Sequence, residues 1–143
     1  RLVVDVGGGH GAVLSTILRS APGAKGILYD LPAVVAGAGP LLAEAGVADR
    51  CTVTGGSFLN SVPAGGDVYV MKNIIHDWDD EHALAILRNV RTGIAEGGRL
   101  LLLAADRLRR NESRALASSA GRACSCRWIQ ASLVCTIFNH ESI

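Results

Sequence analysis

Along the first hundred positions, hydrophobic residues fall into short blocks that alternate between two spacings. LVVDV (2–6), GILYD (26–30), CTVTG (51–55), DVYVMK (67–72) and GRLLLLAA (98–105) are compact, largely apolar runs of strand length. The segments between them have helical spacing. GAVLSTILRSA (11–21) predicts a helix with Ala12, Ile17 and Leu18 facing inward, and LPAVVAGAGPLLAEAG (31–46) a helix interrupted at Gly39-Pro40. The clearest helix runs from about Asp79 to Gly93. Asp79, Asp80 and Glu81 crowd its first turn, where the helix dipole favours negative charge, and Ala83, Leu87, Val90 and Ile94 form a core-facing stripe. NIIHDW (73–78) reads as a loop. Apolar strands joined by helices imply a mostly parallel sheet covered on both faces, that is, a doubly wound α/β domain.

Composition narrows the class. The 143 residues suffice for one domain, and with only 4% aromatics the core must be built mainly from Ala, Val, Leu and Ile. A net charge of +1 argues against duplex nucleic acid or an anionic membrane as partner. No apolar run approaches 18 residues and no leader pattern is present, so a soluble, cytoplasmic chain is expected. Cys51, Cys124, Cys126 and Cys135 form no C-x-x-C pair, so no metal site is expected. The composition changes near Asp106. Residues 1–106 hold 16 of the 17 glycines and a net charge of −3, whereas 107–143 carry six Arg against two acids and three of the four cysteines. The first part is expected to be the folded core and the second an atypical basic tail.

The candidate chemistry lies in VDVGGGHG (4–11). A glycine turn between a first strand and a first helix lets backbone approach a ligand closely and allows positive φ, at Gly7 and Gly9 above all. Gly7, Gly9 and Ala12 also satisfy the dinucleotide fingerprint, so the glycines alone leave NAD(P) and other adenosine cofactors open. Asp30, ending the second strand 23 residues after Gly7, is placed to accept ribose hydroxyls. Asp5 suits the sulfonium and ammonium of S-adenosylmethionine (SAM) and would repel a pyrophosphate. Its alternative reading is a structural acid that ties down the loop. His76, in a polar loop beyond a parallel strand, is placed to face a cleft, with the structural histidine as its alternative reading, while His10, His82 and His140 read as ordinary histidines.

DVGGGHG, YDLP (29–32), GGSF (55–58), MKNIIHDWDDEH (71–82) and the GGRLLLL strand occur in the order found in one family. Over residues 1–106 the chain resembles the SAM-dependent small-molecule O-methyltransferases of the plant caffeic acid type and their bacterial, hydroxyneurosporene methyltransferase-like relatives. The resemblance implies a Rossmann-like class I methyltransferase core and methyl transfer from SAM to a phenol-like hydroxyl. It places Gly7 and Gly9 at the cofactor's amino acid end, Asp30 with Leu31 at the ribose, Ser57 and Phe58 near the adenine, and Lys72 on the cofactor side. His76 matches the family's base.

The departures are specific. Ser57 stands where the family has an acid, and Ala104 where the plant enzymes have the acid that orients the base, leaving Asp77 or Asp106 as substitutes. The resemblance also implies an N-terminal helical domain, for homodimerisation and part of the substrate pocket, to which none of these 143 residues is expected to correspond. Residues 107–143 do not match the family's closing strands, so the C-terminal part of the sheet is expected to be incomplete. Two other readings stand beside the enzyme: a SAM-binding remnant without turnover, and an NAD(P)-linked oxidoreductase.

Overall fold

A computed structural model describes residues 1–105 and, beyond them, the backbone of residues 124–129 and 132–137. The five expected strands form: β1 (Leu2–Val6), β2 (Lys25–Asp30), β3 (Cys51–Gly55), β4 (Gly66–Lys72) and β5 (Ile94–Ala105). They pair in parallel in the order β3-β2-β1-β4-β5. The sheet continues through β7 (Ser132–Ile137), antiparallel to β5, and β6 (Cys124–Ile129), antiparallel to β7. Sequence reading expected this edge to be incomplete; of the atypical tail, these two strand backbones are all that is described. Asp106 and His140 lie outside the described residues.

Each parallel strand sends alternate residues to opposite faces, and each face has its own helices. On one side Val4, Val6, Tyr69, Met71, Leu100 and Leu102 pack with Ile86 and Val90 of α4 (Asp80–Gly93). On the other, Val3, Leu28 and Val70 pack with Leu14 and Leu18 of α1 (Ala12–Ser20), Val35 of α2 (Pro32–Val35) and Leu42 of α3 (Gly39–Glu44). The helix break falls at residues 36–38, and Gly39-Pro40 opens the second piece. Proline is tolerated there because first-turn amides have no helical acceptor.

Two inward assignments need correction. In α1 the buried residues are Leu14, Ser15 and Leu18; Ile17 is half-buried and Ala12, the first residue of the helix, is exposed. In α4 Ala83 and Val90 are buried as expected, and Leu87 and Ile94, both half-buried, pack against the same core; Ile86, fully buried, is the residue the stripe omitted, and Ile94 already belongs to β5. The apolar stripe is thus broader than expected, with Ile86 at i+3 beside Leu87 at i+4 from Ala83.

The C-terminal end of α1 is sealed from a distance. The Arg50 guanidinium donates to the carbonyls of Leu18, Ala21, Pro22 and Ala24 at 3.0–3.3 Å. A cation there satisfies orphan carbonyls and favours the negative end of the helix dipole. Arg50→Ala is therefore expected to lower stability by about 2 kcal/mol, from charge-assisted hydrogen bonds lost at a half-buried site. Urea unfolding of the two proteins measures it.

Candidate functional site

The strand order reverses direction between β1 and β4, and ligands of such sheets bind at the carboxyl edge beside that reversal. Four loops leave that edge: after β1 (Gly7–Gly11), after β2 (Leu31), after β3 (Gly56–Phe58) and after β4 (Asn73–Trp78). They are in mutual contact. A Cβ added to Gly7 would collide with Ile74 of the β4 loop and stand 3.5 Å from the Phe58 ring of the β3 loop. Gly7 has φ +70° and Gly9 φ +60°, backbone that disfavours other residues. Gly9, unlike Gly7, faces open space.

Its three consecutive glycines, Gly7 to Gly9, bring no side chains, and hydrogen bonds to the end of β2 fix them. The Tyr29 carbonyl accepts from Gly7 N–H (2.8 Å) and Gly8 N–H (3.3 Å). The Asp30 carboxylate then accepts from Gly9 N–H through Oδ2 (2.9 Å) and from Leu31 N–H through Oδ1 (2.7 Å). Each carboxylate oxygen keeps a further lone pair for a hydroxyl. Leu31 is 51% exposed at the rim, and Lys72 is exposed at the end of β4. Ser57 and Phe58 are half-buried.

Asp5 takes the structural alternative. It lies on the α1 face of β1 with Val3, is 1% exposed, and accepts the Leu14 N–H of the first turn of α1 at 3.2 Å. Gly11, at the N-cap, supplies no side-chain cap, so Asp5 serves the helix from the neighbouring strand. A Cβ on Gly8 would stand 2.6 Å from its carboxyl carbon. The carboxyl thus sits beneath the loop, where its structural reading puts it.

His76 lies in a 3-10 turn (Ile75–Asp77), its side chain 43% exposed, with Nε2 3.2 Å from Asp77 Oδ1. Asp77, one of the two acids expected to partner His76, is thus beside it. Among the described residues no group of His, Cys, Asp and Glu could hold a metal ion, and no helix is long and apolar enough to cross a membrane. Sequence reading missed Ile74, which fills the space beside Gly7, and Asn89 of α4, whose amide donates to the Phe58 and Leu59 carbonyls. Neither carries a local signal, because each acts on a distant segment.

The family model of the O-methyltransferase domain matches residues 1–121. The chain belongs to this family. Among curated relatives of this O-methyltransferase domain, phenazine O-methyltransferase PhzM of Lysobacter antibioticus is 52% identical over 103 residues, which cover 72% of this chain and 30% of that protein. Caffeic acid 3-O-methyltransferase 3 of Populus kitakamiensis is 46% identical over 101 residues, 71% of this chain and 26% of that one. Among solved structures, LaPhzM superposes with a TM-score of 0.83 at 35% identity over 94% of this chain and 48% of that chain. The O-methyltransferase NcsB1, in complex with SAM and 2-hydroxy-5-methyl naphthoic acid, gives 0.82 at 30% identity over 94% and 47%. The chain therefore spans about half the length of these solved structures and under a third of the curated relatives.

Burial pushes the Asp5 carboxyl up to about 6. The Leu14 N–H bond opposes this, the Asp30 charge adds to it, and the Lys72 ammonium works against it. The unfolded carboxyl loses its proton near pH 4 and the folded one near pH 6. Between these values the folded state binds more protons, so this contribution to stability falls as pH rises, by about 3 kcal/mol in all. Asp5→Asn keeps an acceptor for Leu14 N–H and removes the charge. It is expected to be more stable than the parent at pH 7, with the difference shrinking towards pH 4. Urea midpoints at pH 4, 5, 6 and 7 test this.

Proposed function

We infer that this chain is the cofactor-binding part of a SAM-dependent O-methyltransferase acting on a phenol-like hydroxyl of a small molecule. The observation that carries the reading is the Asp30 carboxylate at the end of β2, bonded to Gly9 N–H beside an open backbone. The residues fit SAM. Gly7 and Gly9 offer bare backbone for an amino acid tail, and the free lone pairs of Asp30 suit ribose hydroxyls. Leu31 and Phe58 offer apolar surface and Ser57 one hydrogen-bonding group for an adenine, with Lys72 at the rim of the same edge. In this reading residues 1–106 are the cofactor core. The relatives' names, a phenazine and a hydroxy-naphthoic acid among them, support a hydroxylated aromatic acceptor.

When bound, SAM supplies an electrophilic methyl group on a sulfonium. The chain's task is to remove the hydroxyl proton and hold the oxygen in line. A phenol with a pKa of about 10 facing a histidine of about 6.5 makes full prior deprotonation uphill by about 5 kcal/mol. His76 must therefore take the proton while the new bond forms. With Nε2 facing the Asp77 carboxylate, the neutral imidazole carries its proton there and presents Nδ1 as the acceptor. Asp77 fixes that tautomer and stabilises the imidazolium that results.

A second reading, SAM binding without turnover, is favoured by Ala104 at the position of the plant enzymes' orienting acid. Titration calorimetry is expected to show SAM binding and no NADH binding; the reverse would replace this function with an oxidoreductase. Asp30→Ala is expected to weaken SAM binding by about 2 kcal/mol, roughly 30-fold. In the whole protein, His76→Ala should leave SAM affinity intact and lower methyl transfer to a panel of hydroxylated aromatics by about 10²-fold or more. SAM binding with no transfer by the whole parent protein would select the second reading.

A further inference from the structure

Asn89 and His82 are among the polar side chains of helix α4 that the chemistry above leaves unused. The Asn89 amide donates to two successive carbonyls, Phe58 and Leu59, each at 2.9 Å. Both amide hydrogens are thereby committed to one turn of a distant loop, at a half-buried position. Two helical turns earlier, His82 Nδ1 lies 2.7 Å from Asp79 Oδ1, and the same oxygen accepts the His82 N–H at 2.9 Å. So fixed, the imidazole lies tilted against the Trp78 indole, with centroids 5.5 Å apart and planes at 36°. Trp78 in turn meets Phe58 edge to face at 5.9 Å and 88°, a favoured geometry for an aromatic pair.

The circuit is closed. It leaves α4 at Asn89, passes through Phe58 and Trp78, and returns to α4 at His82. Phe58 follows β3, and Trp78 ends the 3-10 turn that carries His76 and Asp77. Both turns are thus clamped to one helix from opposite ends.

We propose that Asn89 and His82 are positioning residues: through α4 they hold the Phe58 wall and the His76 turn as one body. The roles given to Phe58 and His76 rest on the function proposed above, while the clamp itself is a property of the ligand-free chain. Asn89 acts on the cofactor side and His82 on the base side, so their removal should have different kinetic signatures.

The full chain carries two tryptophans, and in a Trp128→Phe background Trp78 is the only indole. Its near-ultraviolet circular dichroism reports whether the ring is held in a fixed asymmetric setting. Asn89→Asp has the same shape and no hydrogens to donate. It is expected to lose at least half of the ligand-free Trp78 band and to bind SAM about tenfold more weakly, with far-ultraviolet signal retained. His82→Ala should lose the band as well, and in the whole protein should lower kcat more than SAM affinity, whereas His82→Asn, which can still donate to Asp79, should restore part of both.

The proposal is overturned if Asn89→Asp and His82→Ala both keep the Trp78 band and bind SAM within about twofold of the parent. Should Asn89→Asp fail to fold, His82→Ala, at an exposed position, decides alone. A parent chain that does not bind SAM contradicts the function; the ligand-free Trp78 band still decides the clamp.

Discussion

Everything at the carboxyl edge of this sheet depends on how two residues at the end of β2 hold three consecutive glycine amides. The Tyr29 carbonyl takes Gly7 and Gly8, and the Asp30 carboxylate takes Gly9. Three consecutive glycines have the largest conformational entropy to lose on folding and no side chains with which to offset it. Backbone hydrogen bonds to a rigid parallel strand are what remain. The loop cannot be bulked up either, because Ile74 closes the space at Gly7 and Asp5 and Leu28 close it at Gly8. The same carboxylate that orders the loop also offers lone pairs at its open side, so the groups that build the cradle are those that would read its contents.

Asp5 shows the cost of that construction. A carboxyl with 1% exposure prefers its neutral form, and above pH 6 the fold carries it as a buried anion with a single hydrogen bond, from Leu14 N–H. An apolar residue would suit the core better. What Asp5 provides is a join between β1 and the first turn of α1, which starts from a left-handed glycine and lacks a side-chain cap. Strand, loop and helix are thereby locked at the point where the backbone is least able to hold itself.

The strands, the glycine loop and the place of Asp30 at a strand end were legible because each is a local pattern: an apolar run, a turn chemistry, an acid where the strand stops. Parity along β1 would also have placed Asp5, since it shares the face of Val3 and hence the underside of α1. What stayed hidden depends on distant partners. Arg50 reaches carbonyls 26–32 residues away, Asn89 reaches carbonyls 30–31 residues away, and nothing in their immediate neighbours signals it. The choice between Leu14 and Ala12, and the place of Ile86 beside Leu87, turned on helix phase. A helix's first residue and its exact rotation are set by the sheet beneath, which a period alone cannot fix.

The Asp30 carboxylate organises the glycine loop before any ligand arrives. Amide hydrogen exchange of Gly9 in the ligand-free protein tests it directly. The Gly9 amide is expected to be protected in the parent chain and to exchange near the unstructured rate in Asp30→Ala, while the amides of Gly7 and the β1 core stay protected. Equal exchange of Gly9 in the two proteins would contradict it.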